Sequence, residues 1–432
     1  MLVSEHKFET QVLHAGAVID ETCARTTPLH RTSSYLFKNS EHAADLFALR
    51  EPGNIYSRMM NPTQSVLEER LAALEGGAGA LALASGTSAV FYTVINICRQ
   101  GDEVVAARNV YGGTYTMFNN ILPQFGIRVR FVDPLDCASI EAAINTKTRM
   151  IFIESIGNPK LDVVNLVAVA EIARTNKLPL VVDSTFTTPY LCRPLEYGAD
   201  IVIHSLTKWL GGHGAGIGGI VVDGGNFNWQ DERFSLYNTP DNSYQGLKFS
   251  TDLGDQNHLA FILRMRLVAL RNLGACLSPD NAWIFMQGIE TLPLRMQRHC
   301  ENALNVAEYL ESNPLVDWVR YPGLKSHPTH QNAVELLRNG FGGVVVFGIK
   351  GGKLAGEKFI DSLSLFSHLA NVGDAKSLAI HPAGTTHSQL SEKEQNRAGV
   401  DQELIRLSIG IEHIDDIIAD LEQAIEKSVN GD

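Results

Sequence analysis

Short apolar runs alternate with helical periodicity along the first half of the chain. Runs rich in aliphatic and β-branched residues predict strands at about 78–84, 103–107, 128–132, 150–154, 180–183, 199–204 and 219–223. Helices are predicted between these strands at about 63–74, 85–98, 114–122 and 166–175. Buried strands separated by helices are typical of an α/β protein with a mostly parallel sheet.

The pattern changes along the chain and predicts three parts. Residues 1–60 show little periodicity and have little to bury, which predicts an N-terminal arm that lies on another surface, such as a neighbouring subunit. Residues 61–292 are expected to form a large domain with an insertion at about 224–275. Residues 293–432 are expected to form a smaller α+β domain. Its clearest elements are helices at 293–310 and 413–428 and strands at 343–348 and 404–409.

An amine stands at the end of one predicted strand. The segment SLTK at 205–208 follows the apolar run 199–204 and precedes a glycine-rich loop. Open α/β sheets bind ligands at the carboxyl ends of their strands, and a lysine shielded from water there can form a Schiff base with an aldehyde. Pyridoxal phosphate (PLP) is such an aldehyde, and the hydroxyls of Ser205 and Thr207 suit its phosphate. The alternative is that Lys208 is a surface lysine beside a glycine loop.

Two further strand ends carry polar groups that fit the same cofactor. Asp183 ends the strand 180–183, where a pyridinium nitrogen would neutralise it and so keep the ring able to accept electrons. Gly86 and Thr87 open a helix directly after a strand, which makes their backbone N–H groups an anion site. Each feature also has a structural explanation: Asp183 and the serine cluster at 85–88 could be helix caps.

Other residues with candidate chemistry are more ambiguous. Tyr111 follows a strand end and could stack on a cofactor ring or pack in the core. Arg406 is a cation in an apolar strand, and either a substrate carboxylate or a structural ion pair would satisfy it. The glycine pattern at 214–219 precedes a strand and therefore is not a dinucleotide-binding loop. The histidine pairs 327/330 and 381/387 lack a zinc-motif spacing, so no metal site is expected.

Composition narrows the class of protein. The net charge of −12 argues against binding to nucleic acid or to an anionic membrane surface. No apolar stretch reaches transmembrane length, and the first residues lack the pattern of a signal peptide. The six cysteines are scattered without a C-x-x-C pair, which predicts reduced thiols and a cytoplasmic location.

Taken together, the motifs resemble the Cys/Met-metabolism family of PLP enzymes, of fold type I. The resemblance covers nearly the whole chain and is carried by TQVLHAG at 10–16, YSRMMNPT at 56–63, ASGTSA at 84–89, VDST at 182–185, SLTK at 205–208 and IRLSIGIE at 405–412. It implies a mostly parallel seven-stranded sheet with helices on both faces and a smaller α+β C-terminal domain.

The resemblance also implies a role for each matching residue. Lys208 would hold PLP and move protons, Asp183 would pair with the ring nitrogen, and Tyr111 would stack on the ring. The phosphate would be bound by Gly86, Thr87, Ser205 and Thr207, and by Tyr56 and Arg58 from a neighbouring subunit. Asn158 would contact the 3-hydroxyl of PLP. Arg406, Asn371 and Thr386 would bind the substrate carboxylate.

Within this family, the chain is most similar to the O-acetylhomoserine sulfhydrylases. The insertion after Gly219 and the segment NVGDAKS at 371–377 carry that similarity, and Gly113 stands where methionine γ-lyases tend to have cysteine. The implied reaction joins O-acetylhomoserine and sulfide, in a homotetramer built as a dimer of dimers. Cystathionine γ-synthase and methionine γ-lyase activities, and a binding protein without turnover, are the alternatives.

Overall fold

The computed structural model describes residues 6–385 and 401–430. The backbone divides into two compact units. The first comprises Met1–Arg99, Asp200–Thr207 and Ala215–Glu290, and the second comprises Gln100–Ala199, Lys208–Gly214 and Thr291–Asp432. Thr386 and His387, which the sequence analysis considered, lie outside the described residues.

Twelve strands are numbered here in chain order. They are β1 (Gly79–Leu83), β2 (Glu103–Ala107), β3 (Arg128–Val132), β4 (Thr148–Glu154), β5 (Leu180–Asp183), β6 (Ile201–Ser205), β7 (Gly219–Asp223), β8 (Val316–Arg320), β9 (Val344–Ile349), β10 (Ser367–His368), β11 (Leu378–Ile380) and β12 (Leu404–Ser408). The first seven form one sheet in the order β1-β7-β6-β5-β4-β2-β3, and the other five form a second in the order β10-β11-β12-β9-β8.

The direction of the strands confirms the predicted mostly parallel sheet. Strands β3, β2, β4 and β5 are parallel to their neighbours in this group, whereas β7 runs antiparallel to both β1 and β6. Apart from the edge strand β3, in which Arg128 and Arg130 are exposed, the strands of this sheet are mostly apolar and buried, as expected when both faces are covered. Each of the seven strands lies within a few residues of its predicted position.

The sequence of the first unit marks where a helix begins and ends through capping residues, proline and glycine. The α-helices of this unit are Phe8–His14, Ser40–Phe47, Pro62–Glu75, Gly86–Ile97, Ser235–Asn238, Ala260–Arg264, Arg271–Leu273 and Pro279–Glu290. Asn61 caps Pro62–Glu75 by accepting the Thr63 N–H at 2.9 Å, proline follows it, and Gly76 ends the helix with φ +75°. Short 3₁₀ turns at Asn242–Tyr244 and Gly254–Leu259 and a π segment at Met265–Leu270 complete the unit.

The insertion at about 224–275 is a folded part of the first unit. Trp229 stacks on Tyr237 and on Phe261, with ring centroids 4.4 and 5.5 Å apart. Arg264 donates to Asn96 Oδ1 at 2.8 Å, and the Asn96 amide donates to the Tyr237 hydroxyl at 3.0 Å. This apolar cluster with a satisfied polar network explains why a polar-looking stretch packs as core.

Helices of the second unit pack on both its strand groups. Its α-helices are Gly112–Thr116, Cys137–Ala143, Leu166–Thr175, Thr188–Leu191, Leu292–Ser312, His330–Leu336, Gly352–Ser362 and Ile414–Asn430. A π segment at Met117–Ile121 and 3₁₀ turns at Leu122–Phe125, Pro194–Tyr197 and Pro382–Gly384 connect them. A core that includes Phe347, Phe359, Leu407 and Leu421 joins the five-stranded sheet to its helices, which confirms the smaller second sheet.

Residues 1–60 contain two helices that the sequence analysis did not predict. Phe8–His14 buries Gln11 and Val12, and the Arg70 Nε atom ties it to the next helix through a 3.0 Å bond to Ala15 O. Much of the remaining apolar surface is exposed, including Val18, Ile19, Leu36 and Phe47. The six cysteines are all thiols, and no helix in the described part of the chain is long and apolar enough to cross a membrane.

Candidate active site

The first unit holds a cradle of backbone N–H groups and hydroxyls. Ser85 caps the helix Gly86–Ile97 by accepting the Ser88 N–H at 3.0 Å, so the N–H groups of Gly86 and Thr87 remain at the open end of the helix. A Cβ atom on Gly86 would lie 2.8 Å from the Ser205 Cβ. Glycine is therefore required for Ser205 to approach this helix end, as an anion site demands.

Thr207 and the glycines after it shape the wall of this cradle. The Thr207 hydroxyl donates to Gly218 O at 3.2 Å and accepts the Gly218 N–H at 3.1 Å. A Cβ atom on Gly219 would lie 2.2 Å from the Ser85 carbonyl oxygen. The Thr207 hydroxyl is thus hydrogen-bonded to the Gly218 backbone. The close contact at Gly219 packs the backbone of β7 against the start of the helix Gly86–Ile97.

Tyr56 and Arg58 form a separate cationic feature in the first unit. The Arg58 guanidinium lies over the Tyr56 ring, 5.0 Å from its centroid. The Arg58 Nε atom is buried and has no hydrogen-bond partner within residues 6–385 and 401–430. A buried donor without a partner is costly, so this arginine is suited to an anion supplied from outside the described chain.

Lys208 lies in the second unit, where its amine is held by a side chain distant in sequence. Its Nζ atom donates to Asn371 Oδ1 at 2.5 Å. Burial lowers the pKa of Lys208 to about 8, and the positive charge of Arg406 acts in the same direction. A larger fraction of this amine is therefore neutral near neutral pH than in an ordinary lysine, and the neutral form is the one that acts as nucleophile and base.

The backbone around Lys208 is fixed by close contacts. A Cβ atom on Gly373 would lie 2.6 Å from the Trp209 backbone nitrogen, and Gly373 has φ +79°, so only glycine fits there without strain. The Gly373 N–H donates to Ser408 Oγ at 2.9 Å. Arg295 donates to the Trp209 carbonyl at 2.8 Å. Asn371 and Lys208 are therefore presented to each other by rigid backbone segments.

Arg406 stands on β12 between β9 and β11. Its Nη2 atom donates to Asn371 O at 3.4 Å, and no carboxylate of the described residues forms an ion pair with it. Burial lowers its pKa to about 10, partly offset by Tyr111. The structural ion pair considered above is therefore not formed by the described residues, and the guanidinium is suited to a carboxylate ligand.

Asp183 has an acidic neighbour that the sequence analysis missed. Asp183 Oδ1 accepts the Thr185 N–H at 3.0 Å, so the carboxylate caps the following turn in this structure. Across the sheet, Glu154 of β4 is in register with Asp183 of β5. Glu154 Oε1 accepts the Tyr111 N–H at 2.6 Å, and the Asn158 N–H donates to Asn109 O at 3.2 Å in the loop that precedes Tyr111.

The structure brings the predicted residues together in sets. Gly86 and Ser205 meet in the first unit, whereas Tyr56 and Arg58 pair with each other. In the second unit, one set is Lys208, Asn371 and Arg406, and the other is Asp183, Tyr111 and Asn158 around Glu154. Thr386 lies outside the described residues.

Comparison with known proteins settles the family. The family model described as "Cys/Met metabolism PLP-dependent enzyme" matches residues 9–426. The chain belongs to this family. It is 52% identical to an O-acetyl-L-homoserine sulfhydrylase of Leptospira meyeri, with 97% of each chain covered. It is 49% identical to a homocysteine synthase of Schizosaccharomyces pombe, with 98% of this chain and 99% of the relative covered.

A solved structure of a similar protein supports both the fold and the cofactor. The Campylobacter jejuni protein, described as an O-acetylhomoserine (thiol)-lyase, matches with a TM-score of 0.94 and 41% identity, covering 98% of this chain and all of that one. That structure carries N'-pyridoxyl-lysine-5'-monophosphate. The present chain is a PLP-dependent enzyme of the Cys/Met metabolism family. The buried Arg58 Nε, the open helix end at Gly86 and the low-pKa amine of Lys208 fit the phosphate and aldehyde of PLP.

Proposed function

We propose that this enzyme is an O-acetylhomoserine sulfhydrylase that works in methionine biosynthesis. It replaces the acetate at Cγ of O-acetyl-L-homoserine by sulfide and releases L-homocysteine and acetate. The observation that carries the proposal is the Lys208 amine, whose pKa is lowered to about 8 and which is held beside Asn371 and the Arg406 cation. The substrate is taken from relatives that are 46–52% identical and named for this activity or for homocysteine synthesis.

The proposed roles follow the chemistry of each side chain. PLP, when bound, supplies an aldehyde for amines and a ring that accepts electrons from carbon. Lys208, displaced by the substrate amine, takes the proton from Cα and returns protons after the replacement. Asp183 keeps the ring nitrogen protonated, Tyr111 covers the ring, and Asn158 contacts its 3-hydroxyl.

The remaining groups bind and orient. Arg406 donates to the substrate carboxylate in a charge-assisted, bidentate contact, and Asn371 and Thr386 assist it. The phosphate of PLP is proposed to bind a set of residues at helix ends and loops, namely Gly86, Thr87, Ser205, Thr207, Tyr56 and Arg58. In this scheme the substrate is held by groups that do not move protons, so binding and proton transfer can be separated by mutation.

One steady-state comparison tests the proposed reaction. O-acetyl- and O-succinylhomoserine are each supplied with sulfide, with cysteine or without a thiol, and the products are identified. We expect homocysteine and acetate from the acetyl ester and sulfide, at the highest kcat/KM of the set. Cystathionine formed faster than homocysteine would assign the chain to the γ-synthases. Release of a 2-oxo acid from the ester supplied without a thiol, as the fastest reaction, would assign it to the γ-lyases.

We also propose that the enzyme is a cytoplasmic homotetramer, a dimer of dimers, in which residues 1–60 reach a neighbouring subunit. The exposed apolar residues of this arm support an interface, because a monomer rarely leaves so much apolar surface in one segment open to water. Six cysteine thiols favour a reducing compartment. In this arrangement Tyr56 and Arg58 contact the PLP phosphate of the partner.

Subunit mixing tests whether Arg58 acts across the interface. Arg58→Ala is expected to weaken PLP binding by about 10-fold, since a charge-assisted contact is lost. When Arg58→Ala and Lys208→Ala subunits are dissociated and reassembled together, one of the two sites at each mixed interface would combine an intact Lys208 with an intact Arg58. We expect recovery of tight PLP binding and turnover in the hybrids. Hybrids no better than the Arg58→Ala parent would place Arg58 in its own subunit's site.

A further inference from the structure

A buried acid beside Asp183 takes no part in the scheme above. Glu154 ends β4, and its Cα is paired with that of Asp183 in the parallel ladder between β4 and β5. Residues in register on neighbouring strands project from the same face of a sheet. The two carboxyl groups therefore share one face, and only 6% of Glu154 is exposed.

The Glu154 carboxyl group holds one loop that in turn touches another. Its Oε1 atom accepts the Tyr111 N–H at 2.6 Å, and the Asn158 backbone favours its charged form. The Asn158 N–H donates to Asn109 O at 3.2 Å, so the loop of Tyr111 and the loop of Asn158 touch directly. A Cβ atom on Gly157 would lie 2.3 Å from the Asn109 side chain, so the two loops pack closely there. Displacement of the Glu154 group would therefore move the Tyr111 loop and disturb its contact with Asn158.

The two acids of this pair, Glu154 and Asp183, differ in how readily they carry a negative charge. Burial and the negative charge of Asp183 raise the pKa of Glu154 well above its usual range, and the two backbone N–H groups only partly offset this. Of two adjacent carboxyl groups, the more deeply buried one, here Glu154, is the one for which ionisation costs more. A proton on Glu154 leaves the charge on Asp183, where a ring nitrogen can use it.

We propose that Glu154 is a positioning residue of the PLP site, whose carboxyl group holds the Tyr111 backbone, and with it the loop that contacts Asn158, beside Asp183. The proposal rests on the proposed function only in requiring that these three residues contact PLP. It assigns Glu154 no contact with the substrate. It therefore predicts effects on cofactor binding and on the cofactor's spectrum.

Three substitutions separate shape from charge. Glu154→Gln keeps the length, a carbonyl acceptor for the Tyr111 N–H and the absence of charge. Glu154→Asp keeps the carboxyl group, but its shorter side chain moves the acceptor oxygen away from the Tyr111 N–H. Glu154→Ala removes the carboxyl group altogether. Glu171→Gln is the matched control, because Glu171 is an exposed acid of the same unit whose partners within the described residues, Arg174 and Thr175, lie on or next to its own helix. Apoenzyme is titrated with PLP, and the visible band of bound PLP is followed against pH, with kcat and KM measured separately.

We expect Glu154→Gln and the Glu171→Gln control to bind PLP within about 3-fold of the wild type. Glu154→Ala and Glu154→Asp are expected to bind it about 10-fold more weakly, since a buried N–H loses its acceptor, and to shift the visible band. If Glu154→Gln binds PLP as weakly as Glu154→Ala does, the inference that the Glu154 carboxyl group is neutral is overturned. Wild-type PLP affinity and spectrum in both Glu154→Asp and Glu154→Ala, with only lower thermal stability, would overturn the positioning role. If Glu154→Ala does not fold, the comparison of Gln with Asp decides. Because PLP titration needs no substrate, failure of the proposed reaction leaves this test intact.

Discussion

The Lys208→Ala variant is expected to lose the visible band of covalently bound PLP, and its turnover rate is expected to fall by a factor of about 10²–10⁴ or more. The structure gives the reason. The pKa of the Lys208 amine is lowered to about 8 by burial and by the positive charge of Arg406, and Asn371 holds the amine in one place. Alanine removes both the attachment point and the base, whereas loss of one phosphate contact would weaken binding only.

Two readouts make this prediction specific. Reduction with borohydride should add the mass of the cofactor to a peptide containing Lys208 in the wild type and to no peptide of the variant. Lys353→Ala is the control, because Lys353 is half exposed and pairs only with Glu357 on its own helix. A retained visible band in Lys208→Ala, or a cofactor mass on another peptide, would contradict the assignment.

The parts of this site that could be predicted from the sequence are those that a single strand end defines. Lys208 and Asp183 each follow a buried apolar run, so their position at a sheet edge could be inferred from local pattern alone. The capped helix at Ser85 is equally local. For each of these the pattern left a structural alternative open, and the similarity of the whole chain to one family decided among them.

Glu154 could not be found in the same way. The run 150–154 was predicted as a strand ending in an acid, which is the signal that singled out Asp183. The significance of this acid depends on its register with Asp183 on β5 and on the hydrogen bond from the Tyr111 N–H, and strand order is not encoded in periodicity. An acid at the end of a second buried run was the available clue.

The two helices of the arm and the smaller strands were missed for a different reason. Phe8–His14 has two turns and buries only part of one face, so its periodicity is too short to stand out. Strands β10 and β11 contain two and three residues. Such elements are stabilised by the surface they pack on, here the arm's contact with Arg70 and the ladder with β12.

Replacement of Arg406 by alanine is expected to raise KM for the amino acid substrate about 10- to 100-fold, the usual value of a charge-assisted contact, and to change kcat much less. The guanidinium has no carboxylate partner within residues 6–385 and 401–430, so the substrate would be its first. The KM of Arg406→Lys should lie between those of the wild type and Arg406→Ala, because lysine keeps the charge and loses the bidentate geometry. Arg174→Ala, which removes an exposed ion pair on one helix, is the matched control.

The same variant should change the chemistry of Lys208 in the absence of substrate. Arg406 lowers the pKa of Lys208 through its positive charge, so its removal should move that pKa up toward the usual value for lysine. A higher pKa means fewer neutral amines at a given pH, and only the neutral amine attacks the PLP aldehyde. The rate at which Arg406→Ala apoenzyme binds PLP should therefore rise with pH over a higher range than in the wild type. An unchanged KM together with an unchanged pH profile would remove Arg406 from both roles, whereas a shift in the profile alone would leave it as an electrostatic neighbour of Lys208 that does not bind the carboxylate.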